Sequence, residues 1–247
     1  MANERARFGV VLLSGGLDST TVAAHAVREG GEVRALSIAY GQRHARELAA
    51  ARAVAEALGI PLVEADAAFY ARLAAHSALT SSAFAVPADR PGEAMAAEVP
   101  ITYVPLRNTF FVTLAAAALE SWLLDRIEGG GADPKGLEGV IYVGANAIDY
   151  SGYPDCRPEF YRAMEEVIRL GSKVGSAYGV PVRIAAPIIR MSKAEIVRYG
   201  LELGAPLGLT WSCYLGGERP CGSCDACRLR AAGFAAAGAR DPALEAG

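Results

Sequence analysis

No stretch of this chain is apolar for long enough to span a bilayer, and none is basic enough to track a polyanion. The longest apolar stretch, Phe110 to Leu124, is broken by Thr113, Glu120 and Ser121, which suits a buried helix. Lys and Arg total 24 against 27 Asp and Glu, a formal net charge of −3, so no dedicated nucleic-acid surface is indicated. Self-similarity at a period of roughly 20–50 residues, the mark of solenoids and propellers, is missing. Met1 to Arg7 is polar and charged with no apolar core, so a secretory signal is not expected. The expected compartment is the cytoplasm, where thiols stay reduced, so the five cysteines suggest metal or chemistry before disulfides.

What is present is enough for one substantial core: 247 residues, 52% of them hydrophobic, with room for a small appendage. Short apolar runs alternate with longer helical ones. Strands are predicted at Phe8–Leu13, Val33–Tyr40, Pro61–Ala65, Val140–Val143 and Val182–Ala185. Helices are predicted at Ser19–Glu29, Ala45–Leu58, Asn108–Leu124, Glu159–Tyr178 and Lys193–Leu203. Apolar strands separated by helices argue for an α/β protein whose parallel sheet is covered on both faces. Ser77 to Glu98, rich in Ala, Ser and Pro, reads as a lid or mobile loop within 77–98, and Gly129 to Gly136 as a solvent-facing linker. Composition changes at Trp211, dividing the chain into an α/β domain over 1–210 and a cysteine-rich segment, helix and tail over 211–247. Ligands of open α/β sheets sit beyond the carboxyl ends of the strands, and the polar, glycine-punctuated peptides gather there.

The first of these peptides, Ser14-Gly-Gly-Leu-Asp-Ser-Thr20, joins the first strand to the first helix. Glycines let the backbone turn with its N–H groups inward, and the helix start adds unpaired donors and a positive dipole end. The turn has no lysine. The common P-loop needs one at its end to serve the β- and γ-phosphates, so γ-phosphoryl transfer is not indicated. The S-G-G-x-D-S pattern instead resembles the ATP-pyrophosphatase loop, where pyrophosphate is the leaving group. The plain alternative is an ordinary glycine-rich turn.

Cys213, Cys221, Cys224 and Cys227 form C-x7-C-x2-C-x2-C, which matches a closed tetrahedral zinc site with a structural role. An iron–sulfur cluster is the rival, but its bacterial motif continues with a further cysteine that is missing here. Cys156 stands apart; it either touches a ligand or is an inert small residue, and no partner base marks it as a nucleophile.

Several peptides together resemble the 7-cyano-7-deazaguanine synthases of queuosine-precursor biosynthesis, within the ATP-pyrophosphatase group. They are Ser14–Thr21, Tyr40-Gly-Gln-Arg-His44, Val104-Pro-Leu-Arg-Asn108, Asp149-Tyr-Ser-Gly-Tyr-Pro-Asp-Cys-Arg157, Ser192-Lys-Ala-Glu195 and the four cysteines, spanning Phe8 to Gly238. Leu106 stands where many members have glycine. The resemblance implies a Rossmann-like five-stranded parallel sheet in the order 3-2-1-4-5 with a C-terminal zinc-binding segment. It also implies a homodimer and conversion of 7-carboxy-7-deazaguanine and ammonia to the nitrile. ATP with Mg²⁺ is consumed through an acyl adenylate, an amide and a second adenylation. Leu12, Leu13, Ser14, Gly15, Gly16, Leu17, Asp18, Ser19 and Thr20 are then the ATP-binding set, with Arg107 and Asn108, where Asn108 is alternatively a plain helix cap. Lys193, Asp18 and Ser19 are the catalytic candidates, Lys193 supplying the cation that the loop lacks, unless it is a solvated helix-start lysine. Tyr40, Gln42, Arg43, Asp149, Tyr153, Asp155, Cys156 and Arg157 are the substrate candidates, with Asp149 or Asp155 reading the guanine-like edge. His44 is either a general base or a structural histidine. The rivals are a tRNA thiolase or lysidine ligase, an ammonia-using amide synthetase, and a nucleotide-binding interaction module.

Overall fold

The computed structural model describes residues 5–42, 46–88, 99–148 and 153–245. Five strands form one sheet: β1 (Ala6–Leu12), β2 (Glu32–Ala39), β3 (Leu62–Asp66), β4 (Leu137–Tyr142) and β5 (Val182–Ala185). Their order is β3-β2-β1-β4-β5, and every pairing is parallel. The helices are α1 (Leu17–Glu29), α2 (Arg46–Leu58), α3 (Phe69–Leu73), α4 (Arg107–Leu124), α5 (Pro158–Gly171), α6 (Lys173–Ser176), α7 (Lys193–Glu202), α8 (Asp225–Ala237) and α9 (Pro242–Glu245). The expected order is the one found.

Strand alternation explains the two layers. On β1, Phe8 and Val10 face one side, against Val112, Leu119 and Trp122 of α4, while Val11 packs with Val22, Val54, Ile196 and Phe234 on the other. The central strands β1 and β4 are therefore buried along most of their length, because both faces are covered, whereas the edge strand β3 is largely exposed.

Three expectations change. The long helix expected over 159–178 breaks at Ser172, whose extended backbone lets its hydroxyl accept from the Gly175 N–H at 3.0 Å and start α6. The loop expected from Ser77 is anchored at its start: Ser77 and Ala78 are fully buried, and the Ala78 N–H donates to the Ile101 carbonyl. Residues 89–98 of that stretch lie outside the described residues. Asn108 is no helix cap, since α4 begins at Arg107 and Leu106 flanks it.

Leu106 holds φ 55°, ψ 21°, a left-handed conformation in which its Cβ crowds the backbone. It is 64% exposed, so little burial offsets that cost. Leu106→Gly should therefore stabilise the protein by up to ~1 kcal/mol, after the extra chain entropy of glycine is deducted. Thermal unfolding should show the midpoint rising by roughly 1–4 °C. A fall would mean that the leucine makes a contact worth more than the strain.

Candidate active site

The junction between β1 and α1 is an open anion cradle. Gly15 takes φ +81°, and a Cβ there would lie 2.3 Å from the Glu47 carbonyl oxygen, so only glycine lets the turn pack on α2. Gly16 flanks α1 without any side-chain cap, which leaves first-turn N–H groups to a ligand. The hydroxyls brace the turn: Ser14 and Ser19 oxygens sit 3.0 Å apart, and Ser19 Oγ donates to the Gly16 carbonyl at 3.1 Å. A second close approach comes from the segment after β4, where a Cβ on Gly144 would meet Ser19 at 3.0 Å.

Lys193 is not a solvated helix-start lysine. Ser192 and Glu195 form a reciprocal capping box that fixes the first turn of α7. The Lys193 Nζ then reaches both Asp18 oxygens at 2.8 Å, with the lysine side chain only 10% exposed. It delivers a positive charge to the mouth of α1, where the turn has none of its own. The peptide before it is pinned by Asn146, whose amide donates to the Ile188 and Met191 carbonyls. On the other flank, α8 presents Gly233, where a Cβ would lie 2.4 Å from Lys193 Cγ.

Two cavities meet at this turn. The larger, about 250 Å³, lies beyond the carboxyl ends of β1, β2 and β4. Leu12, Leu13, Ser14, Asp18 and Ser19 form one wall, and Tyr40, Gln42, Arg107, Asn108, Tyr153 and Cys156 the other. The smaller, about 190 Å³, is bounded by Ser14, Gly16, Leu17, Asp18, Ser19 and Lys193 and closed by Trp211, Ser212 and Arg230. Thus most of the expected site residues line one or other of these two adjoining cavities.

Others do not. Thr20 is fully buried one step further into α1, where helical periodicity turns it from the open end. Asp155 lines neither cavity; its Oδ2 accepts the Asn108 N–H at 3.2 Å and so caps α4 from outside. Arg157 is exposed at the start of α5, its backbone extended ahead of Pro158. Arg43, His44 and Asp149 lie outside the described residues.

Within the larger cavity, the Asn108 amide donates to the Asp155 carbonyl at 3.1 Å and meets Cys156 Sγ at 3.4 Å. Burial, with Asp155 adding to it, pushes the Cys156 thiol up to about 12, so it stays a neutral packing group. The Tyr153 hydroxyl pairs with Thr102 at 2.9 Å, and Arg107 lies 5.8 Å from the Tyr40 ring. Gln42 folds back to accept the Tyr40 N–H at 2.9 Å. Sequence reading missed Glu47 and Tyr214, which line both cavities. Glu47 follows the Tyr40–His44 peptide, and Tyr214 follows Cys213; adjacency to those motifs is the signal that was there.

The four cysteine sulfurs lie within 4.8 Å of one another, a group able to hold a metal ion. Tetrahedral thiolates around zinc at ~2.3 Å stand ~3.8 Å apart, and Cys221 and Cys227 sulfurs are 3.9 Å apart, so the donors fit that ion. The N–H groups of Leu215 and Cys221 point at Cys213 Sγ, each at 3.4 Å, as donors to a negative sulfur would. Their purpose in the fold is a clamp. The Trp211 N–H donates to the Gly15 carbonyl at 2.9 Å, and Arg230 of α8 binds both Asp241 oxygens, Thr210 and Ser212.

A parallel sheet in this order, with a lysine-free phosphate turn at its carboxyl edge, defines an α/β nucleotide-binding protein of the ATP-pyrophosphatase type. Within that class the chain belongs to the family described as queuosine biosynthesis protein QueC, whose family model matches residues 8–238. It is 49% identical to the 7-cyano-7-deazaguanine synthase of Anaeromyxobacter sp. (strain Fw109-5), across 99% of this chain and 98% of that protein. It is 47% identical to the synthase of the same name from Thermoplasma acidophilum, across 94% of this chain and 90% of that one. With the Nostoc sp. (strain PCC 7120) synthase it shares 46% identity over 94% of this chain and 95% of that protein.

Proposed function

We propose that this chain is an ATP-dependent carbon–nitrogen ligase that converts 7-carboxy-7-deazaguanine and ammonia into 7-cyano-7-deazaguanine. The observation that carries the reading is the Lys193–Asp18 pair at the open end of α1, in a family whose relatives bear that activity in their names. A carboxylate resists attack by nitrogen because its oxygen is a poor leaving group. Transfer of AMP to that oxygen makes it a good one, and pyrophosphate must be drawn away as it departs.

The uncapped first turn of α1 receives the departing pyrophosphate, and the Ser14 and Ser19 hydroxyls hold the turn in shape. Lys193, its side chain mostly buried, neutralises charge that grows at the α-phosphate. Asp18, shared by both cavities, is the carboxylate that would hold Mg²⁺ together with phosphate oxygens, the usual way such an ion is bound. When bound, that ion supplies neutralisation of the phosphates. Tyr40, Tyr153 and the Asn108–Cys156 contact bound the space for the planar deazaguanine, while Arg107 suits a carboxylate. The segment from Trp211 onward acts as a zinc-held clamp on the phosphate turn.

The test is direct. The protein is incubated with ATP, Mg²⁺, ammonium and 7-carboxy-7-deazaguanine, and the products are followed by mass. Acid should pass through amide to nitrile, with AMP and pyrophosphate released at both adenylations. ADP with inorganic phosphate, or nucleotide binding without turnover on addition of the acid, would overturn the reading.

A further inference from the structure

We propose that Glu47 is the proton acceptor for the nitrogen nucleophile, the catalytic base that strips ammonia of its protons as the nitrile forms. The inference rests on the reaction proposed above and adds a residue to it. Glu47 sits in the first turn of α2, which packs directly on the phosphate turn: a Cβ at Gly15 would lie 2.3 Å from the Glu47 carbonyl oxygen. Among the described residues, Glu47 and Asp18 are the carboxylates that line both cavities. Lys193 already engages both oxygens of Asp18. Glu47 is the other, and it stands where the space for a planar acid meets the space for the phosphates. That is where the reacting carbon must lie.

The chemistry requires such a group. Nitrogen enters as ammonia with three protons and ends in a nitrile with none. In the first half, the ammonia lone pair forms the C–N bond, the C–O bond to AMP breaks, AMP leaves with the electron pair, and one N–H proton goes to the base. In the second half, the amide oxygen attacks the α-phosphate of a second ATP and expels pyrophosphate while a second N–H proton is given up. The last proton leaves as the C–O bond to AMP breaks and the C≡N bond closes. One base must therefore load and unload at every stage, which favours an ionisation near neutrality. Burial pushes the Glu47 carboxyl up to about 7, against the pull of the Arg107 guanidinium. The other groups around this space are worse placed: the Cys156 thiol is held up at about 12, and Asp155 faces Asn108 instead of the cavity.

The step-by-step protonation gives the experiment its resolution, because adenylation of the acid moves no N–H proton. Acid-dependent exchange of pyrophosphate into ATP is measured without ammonium. Amide and nitrile formation are then followed by rapid quench after ammonium is added. Glu47→Gln should slow the nitrogen steps by roughly 10²–10⁴-fold, with exchange changed by less than about threefold, the split a specific base predicts. At fixed free ammonia, the wild-type nitrogen steps should rise with pH through about 7, and this limb should vanish in the variant. The groups facing Glu47 there are Arg107 of α4, Tyr40 after β2, Asp18 of α1, Tyr214, and Lys193 of α7, with Arg46 beside it on α2. Glu47→Asp, which keeps a carboxylate, should recover part of the lost rate and guards against a folding defect in the first variant. Exchange and nitrogen steps falling together, or neither falling, would overturn the proposal. Wild-type protein without any acid-dependent exchange would instead overturn the reaction itself.

Discussion

Lys193→Met should cut acid-dependent pyrophosphate release by roughly 10²–10³-fold, the cost of removing one preorganised charge stabiliser from a sheltered site. The Lys193 Nζ is held 2.8 Å from both Asp18 oxygens at the mouth of α1, where the phosphates are to be cut. Methionine keeps the stem that packs beneath the cavity and removes only the charge. Stability should fall by less than about 2 kcal/mol, because Asp18 is 20% exposed and can be hydrated once unpaired. A purely structural lysine would give the opposite pattern, a lower melting temperature with exchange kept. Gly233→Ala sharpens the distinction. Glycine to alanine inside a helix ordinarily stabilises by ~1 kcal/mol. Here the new Cβ would lie 2.4 Å from Lys193 Cγ, so the stem must swing and carry the ammonium away from Asp18. Loss of at least tenfold in exchange, in protein that is still folded at the assay temperature, would tie Gly233 to the placing of Lys193. Full exchange in both variants would remove Lys193 from the chemistry.

The fold was legible because its signals are local and agree. Apolar runs of β-branched residues, broken by glycines and followed by helical stretches, place every strand to within a few residues, and a doubly covered sheet leaves few alternatives. The turn between β1 and α1 was legible for the same reason, since Gly15, at φ +81° and with the Glu47 carbonyl 2.3 Å from any added Cβ, is required by the backbone itself. What escaped was whatever depends on distant segments meeting. Lys193 was expected to bring the turn the cation it lacks, but its grip on both oxygens of Asp18, 175 residues away, was not legible. Glu47 has no motif of its own; it joins the site only because α2 abuts the Gly15 turn. Asp155 misled in the opposite sense. The family resemblance made it a candidate for reading the guanine-like edge, whereas its Oδ2 accepts the Asn108 N–H at the start of α4 and it lines neither cavity. The cost of Leu106 becomes legible only from its left-handed backbone.

Removal of the metal from the cysteine cluster should damage both stability and catalysis, although the cluster supplies no ligand to the reaction. Structural zinc contributes apparent binding energies of ~10–16 kcal/mol, which become folding energy because no such site exists in the unfolded chain. If only about 5 kcal/mol of that is felt by the whole protein, the melting temperature should drop by roughly 10–20 °C. Cys224→Ser is the cleanest variant, since Cys224 both supplies a sulfur and flanks the start of α8. That helix carries Arg230, which binds Asp241, Thr210 and Ser212, and Gly233, which leaves room for Lys193. The segment leading into the cluster donates the Trp211 N–H to the Gly15 carbonyl, so losing the clamp frees one end of the phosphate turn. Pyrophosphate exchange should therefore fall at temperatures well below the melting transition, and readdition of zinc to chelated wild-type protein should restore it. Metal analysis should give one zinc per chain, released on chelation in step with the loss of exchange. A visible absorption band would assign iron in its place. A metal-free protein that melts and exchanges as before would reduce the four thiols to packing, and would mean that Trp211 and Arg230 hold the turn unaided.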